Sequence, residues 1–210
     1  MLFPALVILI ALSASIHIRA EYQNNRRLIY IFKPLTTSLI ILSAFMQPVE
    51  VSHYYKTMII MGLFFSLSGD IFLMLPDDRF IAGLLSFLIT HIFYILAFIS
   101  DSVFPPILTL LIPGLLAIII VLKFLLPHTG DKTIAVIIYA AILVLLYWQS
   151  AGRFSTSLTH SALTAFIGSI LFIFSDSTLV IDRFIRKFKG ARLLVLTSYF
   201  ASQLLITVSI

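Results

Sequence analysis

The chain has 210 residues, 60% of them hydrophobic and only 11% charged, with a mean hydropathy of +1.11, far below the roughly 25% charged residues of an ordinary soluble domain. That excludes a water-soluble globular fold and leaves room, at about 20 apolar residues per crossing, for about eight membrane spans in one domain, 1–210. The 14 Lys+Arg against 9 Asp+Glu give a net charge of +5, but the basic residues fall between apolar runs, so they read as topology signals and no nucleic-acid partner is expected. Cysteine is absent, which excludes disulfides, thiolate catalysis and cysteine-ligated zinc or iron–sulfur sites.

In chain order, the apolar runs predict spans at 2–18, 33–47, 57–75, 80–99, 104–125, 132–150, 158–180 and 191–209. The first has no basic residue before it and Arg19, Arg26 and Arg27 after it. A cleavable signal peptide has the opposite order, so a retained helix with an outward N-terminus is expected. The second is expected to begin at Lys33-Pro34, with the proline in a first helical turn and the lysine reaching for the interface. Asp77 and Asp78, after Pro76, suit the N-terminus of the fourth. The fifth carries Pro105, Pro106 and an internal Pro113, which predicts a kink.

Eight crossings place Arg19, Arg26, Arg27, Lys33, Arg79, Lys123, Lys132, Arg183, Arg186, Lys187, Lys189 and Arg192 on one side, 12 of the 14 basic residues, and Lys56 and Arg153 on the other. The positive-inside rule then puts the first set in the cytoplasm and both termini on the non-cytoplasmic side. A multi-pass protein of a bacterial inner (plasma) membrane is expected. The halves also resemble each other: GLFFSLSGD (Gly62 to Asp70) and GSILFIFSD (Gly168 to Asp176) share their spacing at an offset of 106 residues, and each leads to an Arg-Phe pair and a last helix. The expected fold class is an all-α membrane protein of eight transmembrane helices, built as two parallel four-helix repeats, 1–100 and 101–210. Chance similarity between apolar stretches is the competing explanation.

An ionisable group inside a span costs a few kcal/mol and is a functional candidate by default. Asp70 and Asp176 qualify, at matching depths in the cytoplasmic leaflet of the third and seventh spans. Gly62 and Ser66 precede Asp70 on one helix face, small enough to let a neighbouring helix approach. Two carboxyls facing one cavity would make an acid and a base from one residue type. Otherwise each aspartate accepts hydrogen bonds from a Ser, a Tyr or Lys33 and fixes helix packing. Lys33 would neutralise a buried carboxylate or hold a lipid phosphate, or simply snorkel. His91, one turn from Tyr94 in the fourth span, is either a hydrogen-bonded packing residue or a proton-handling one, and Tyr139 and Gln149 in the sixth and the pair Tyr199 and Gln203 in the eighth read first as interhelical hydrogen-bonding groups. The run from Arg183 to Arg192 is an anchor for anionic lipid, or a headgroup site. No zinc-hydrolase, serine-esterase, Walker or dinucleotide motif occurs, and the five histidines have no metal-ligand spacing.

The segments Lys33-Pro34-Leu35-Thr36, Gly62-Leu63 with Ser68-Gly69-Asp70, Gly83-Leu84 with Phe87, His91 and Tyr94, Phe166 with Gly168, Phe172 and Ser175-Asp176-Ser177, and Tyr199 with Gln203 resemble, in order and over most of the chain, the YhhN-like, or lysoplasmalogenase, family of membrane proteins. The resemblance implies eight helices and hydrolysis of the vinyl ether bond of a lysoplasmalogen to a fatty aldehyde and a glycerophospho-ethanolamine or -choline. It also implies that the family's two intramembrane aspartates are Asp70 and Asp176 here. Vinyl ether cleavage needs a carboxylic acid to protonate carbon and a carboxylate to stabilise the cation and activate water, a relative of glycosidase chemistry without a cofactor. Lys33, His91, Tyr94, Tyr139, Ser175, Tyr199 and Gln203 would then position substrate. A lysophospholipid substrate and membrane lipids are the expected partners, with oligomeric state open. A transporter or scramblase of lysolipids or small solutes, and a non-catalytic membrane scaffold, are the alternatives; aldehyde release separates the first reading from both.

Overall fold

A computed structural model describes residues 2–76, 79–101 and 107–210. Among them every regular element is helical: α1 (Leu2–Tyr22), α2 (Arg26–Met46), α3 (His53–Met74), α4 (Phe80–Ser100), α5 (Leu111–Leu125), α6 (Thr133–Ser157), α7 (His160–Phe184) and α8 (Ala191–Val208), with short 3₁₀ turns on either side of α5. All eight are long and apolar enough to cross a membrane, the fifth as Leu108–His128 once its flanking turns are counted. In lipid a spanning segment must satisfy its own backbone polar groups, which a helix does internally.

Three departures from the sequence expectation have a local reason. α2 starts seven residues before Lys33, because the Asn25 side chain accepts the Leu28 amide hydrogen at 3.3 Å and caps a helix that opens on two arginines. Lys33 and Pro34 therefore lie inside the helix, where Pro34 has no N–H to offer the carbonyl of Tyr30. Pro113 falls in the first turn of α5 and interrupts no α-helical hydrogen bond, so the expected internal kink has no cause. α6 continues past residue 150 to Ser157, ending on Leu158 in the left-handed region at φ 51°. This carries Arg153 from an expected loop into a helix. The capping expected of Asp77 and Asp78, and the expected start of the fifth span at Pro105 and Pro106, lie outside the described residues.

Six helices close into a ring, each packed on the next in the order α2, α3, α4, α6, α7, α8 and back to α2. α1 lies outside the ring against α2 and α8, and α5 lies outside it against α6 and α7. The closest pairs are α3 with α4 and α7 with α8, and both approaches require a glycine. A Cβ on Gly62 would run into the Tyr94 ring, and one on Gly168 would meet the Ser202 carbonyl oxygen at 3.0 Å and Ile206 at 2.8 Å. Without a hydrophobic drive between helices in lipid, such close contact is a main source of association. The ring places α3 opposite α7, so side chains at matching depth on these helices point toward a common interior.

Candidate active site

Asp70, almost fully buried on α3, is the end of an ordered hydrogen-bond chain. The Thr37 hydroxyl on α2 and the Tyr199 hydroxyl on α8 both donate to its Oδ2, at 2.6 and 2.7 Å. The Lys33 ammonium, on a side chain only 9% exposed, is 3.6 Å from Oδ1. Tyr199 has a single proton, which it gives to Asp70, so Ser66, 2.8 Å from the phenol oxygen, must donate to it. Ser66 in turn accepts from the Gln203 amide nitrogen, and Gln203 Oε1 accepts from Tyr94 at 2.5 Å. One proton direction thus runs Tyr94, Gln203, Ser66, Tyr199, Asp70. An unsatisfied member in this low-dielectric interior would cost about 1–3 kcal/mol, so the chain holds the phenol and the carboxylate in one geometry.

Asp176 on α7 has a different environment. The Tyr139 hydroxyl on α6 donates to Oδ2 at 2.5 Å. His91 on α4 brings Nε2 to 3.5 Å from the same oxygen, yet outside hydrogen-bond alignment; both ring nitrogens are buried without a hydrogen-bond partner among the described residues. The imidazole is wedged edge-on between Phe172, at 4.4 Å between centroids, and Tyr139, at 5.5 Å. The Ser175 hydroxyl donates to the Val195 carbonyl at 3.0 Å, pinning α7 to α8 beside Asp176.

Both carboxyls line one cavity of about 330 Å³, together with Lys33, Ser175, Tyr199 and the Phe87 ring. Its mouth carries Arg183, Lys187 and Arg192 with Glu21 and Asp182, so cations outnumber anions where an anionic ligand would enter. Of the candidate residues, Lys33, Asp70, Ser175, Asp176 and Tyr199 line this space. Tyr139 and His91 support Asp176 from behind it, and Tyr94 and Gln203 reach it only through Ser66 and Tyr199.

Sequence reasoning missed two contributors to the site and one ionic cluster away from it. Thr37 is one turn beyond Lys33 and shares its face, but nothing marks it until the Asp70 carboxylate is seen beside it. Glu21, in the last turn of α1, lies 3.6 Å from Arg192 and 3.5 Å from the buried His17. At the opposite end of the bundle Arg153, 1% exposed, pairs with Asp101 at 2.6 Å, donates to Ser161 at 2.7 Å and lies over the Tyr55 ring at 4.8 Å. Removing Lys33 and Arg153 from the loop charges leaves the two-sided asymmetry of the remaining basic residues intact. Among the described residues no group of three or more His, Cys, Asp or Glu side chains is placed to hold a metal ion.

Residues 28–210 match the YhhN family. The chain is 34% identical to lysoplasmalogenase TMEM86A of Bos taurus over 75% of this chain and 67% of that one. It is 32% identical to human lysoplasmalogenase TMEM86B over 80% of this chain and 70% of that one. With the Escherichia coli membrane protein YhhN it shares 28% identity over 97% of both chains. No solved structure matches. Eight apolar helices and a family match over most of the length lead to one conclusion: the chain is a multi-pass integral membrane protein and belongs to the YhhN family.

Proposed function

We propose that this protein is a lysoplasmalogenase-like hydrolase, which cleaves the vinyl ether bond of a lysophospholipid to a fatty aldehyde and glycerophospho-ethanolamine or -choline. One observation carries the reading: two intramembrane carboxyls on opposite helices, Asp70 and Asp176, line one cavity with a cationic mouth. The names of the relatives supply the substrate class.

The Lys33 ammonium and two donated hydroxyl hydrogens suit a carboxylate at Asp70. Among the described residues no Lys or Arg is in contact with Asp176, which takes the part of the acid. Its carboxyl proton goes to the β-carbon of the vinyl ether; the C=C electron pair forms the new C–H bond and leaves an oxocarbenium ion, which the Asp70 carboxylate stabilises. Water adds to that carbon and gives its proton to Asp70. The hemiacetal then collapses: its hydroxyl proton returns to Asp176, the C–O bond to glycerol breaks, and Asp70 protonates the departing oxygen. Both carboxyls are restored, and the products are aldehyde and alcohol. Lys187 and Arg192, at the mouth, are suited to the phosphate.

The finer architecture belongs to the same proposal. Each aspartate accepts from a hydroxyl on the helix before its own, Thr37 on α2 or Tyr139 on α6, and is met by the last helix of the other half, through Tyr199 on α8 or His91 on α4. α1 and α5 are both peripheral. These correspondences support two parallel four-helix repeats. The basic loops support an orientation with both termini on the non-cytoplasmic side. Because the native chain has no cysteine, single cysteines placed in successive loops and labelled with an impermeant maleimide in intact cells test the orientation directly.

The functional test is purified protein with lysoplasmalogen in D₂O. Fatty aldehyde carrying deuterium on its α-carbon is expected. Substrate counterflow in liposomes without aldehyde release would replace the hydrolase with a transporter.

A further inference from the structure

We propose that the apolar slot between α5, α6 and α7 holds the hydrocarbon chain of the lysolipid, with Asp176 at its inner end; the proposal rests on the hydrolase reading above. The slot has a volume of about 310 Å³ and is walled by Gly114, Ala117 and Ile118 of α5, Val144 and Tyr147 of α6, and Ile173 of α7. It continues inward into a neck of only about 20 Å³, which shares Ile118, Val121, Leu143 and Ser177 with it and ends on Tyr139 and Asp176. Asp176 also lines the polar cavity. It is therefore the residue at which an apolar space and a cationic-mouthed space meet.

A lysoplasmalogen has the same division. Its glycerophosphate end is polar and charged, its other end is a saturated chain, and the vinyl ether lies where one becomes the other. Seating the headgroup beneath Lys187 and Arg192 and the chain in the slot brings the double bond to Asp176. The β-carbon, which receives the proton, is the atom on the chain side, and Asp176 is the carboxyl on the slot side. The reverse seating would put a phosphate in a mostly aliphatic space whose lining holds no cation, at a heavy desolvation cost.

Two features of α5 fit passage of a chain. Leu125 is its only buried residue among those described, so the helix is held by few contacts and can part from α6 and α7 to widen the neck. Gly114 opposite Tyr147 keeps the slot open: a Cβ there would meet the ring at 2.7 Å. From Tyr139 to Tyr147 the slot follows eight residues of α6, about 12 Å of helix, which selects for chain length rather than for headgroup.

The test uses a non-cleavable alkyl-ether lysophosphoethanolamine carrying a diazirine near the end of its chain, photolysed in the wild-type protein and mapped by mass spectrometry. Labels on Ala117, Val144 or Ile173 are expected. Labels confined to α1, α2 or the polar cavity would overturn the slot. Independently, Val144→Phe, at the far part of the slot, is expected to lower kcat/KM for a long-chain lysoplasmalogen about tenfold while a short-chain one is cleaved at the wild-type rate. Equal loss on both chain lengths, or no loss on either, would count against it. Labelling of the slot in a protein that releases no aldehyde would remove the hydrolase and keep the lipid-chain site. Aldehyde release with the label elsewhere would do the opposite.

Discussion

Two ionic clusters lie inside this bundle, one at each end, and they are built differently. Around Arg153 the guanidinium is enclosed by the Asp101 carboxylate, the Ser161 hydroxyl and the Tyr55 ring, and Ser161 and Tyr55 both continue to Ser209 at the end of α8. That cluster ties α3, α6, α7 and the ends of α4 and α8 together and faces packed side chains. Around Asp70 and Asp176 the partners fix the carboxyls from behind and leave open space in front. A charge within a membrane costs several kcal/mol in either place. The difference is that one cluster returns this cost as helix packing, whereas the other is left facing a cavity that a ligand can fill.

Breaking the contrast begins with the carboxyls. Asp176→Asn or Asp70→Asn is expected to lower aldehyde release by about 10³-fold or more, with the protein still folded in detergent. Substantial turnover in both variants would end the acid–base assignment. Arg153→Met should do the reverse. It is expected to cost about 1–3 kcal/mol in unfolding experiments, since it removes the charge-assisted bonds to Asp101 and Ser161, while aldehyde release per folded molecule stays at the wild-type level. Loss of turnover without loss of stability would mean that the two ends are coupled and the contrast is wrong.

Smaller effects sharpen the comparison of the two halves. Gly62→Ala and Gly168→Ala are each expected to destabilise by about 1–3 kcal/mol through overpacking. Gly168 should lie at the upper end, because besides the Ile206 side chain it faces the Ser202 and Ile206 backbones, whereas Gly62 faces only the Tyr94 side chain. Thermal unfolding of both variants in the same detergent checks the order. Tyr94→Phe removes the first donor of the chain to Asp70 and leaves Gln203 Oε1 without it, an expected cost of about 1 kcal/mol. A loss of turnover as large as that of Asp70→Asn would show that Tyr94 acts on the reaction and not only on the position of Tyr199.

The crossings were legible because bilayer thickness sets a length that apolar runs must approach; seven runs meet it, and the second, 33–47, falls short only because its start is read seven residues late. Asp70 and Asp176 were legible because an aspartate among leucines and phenylalanines has no cheap explanation. Gly62 was legible as a site of close approach, although only the fold names Tyr94 as the side chain that uses it. Lys33 was misplaced at a helix end, since a lysine-proline pair reads as a boundary when the Asn25 cap behind two arginines is overlooked. Arg153 read as a loop charge at the end of an apolar run. Nothing nearby reveals that its partner, Asp101, is 52 residues away. Thr37 left no signal, since a threonine in a span is ordinary until the carboxylate it bonds is known.

By itself the sequence determined the number of helices and where along the third and seventh of them the two aspartates fall. These depend on the chemistry of single residues and on a rise of 1.5 Å per residue, both local quantities. The tertiary structure alone decided that α3 and α7 stand opposite in a ring, that Lys33 and Tyr199 converge on Asp70 while Tyr139 and His91 converge on Asp176, and that Asp176 borders two cavities of unlike polarity. Those are pairings between residues up to 129 positions apart, and in lipid they follow from which helix surfaces fit closely, a property of shape that no single segment carries.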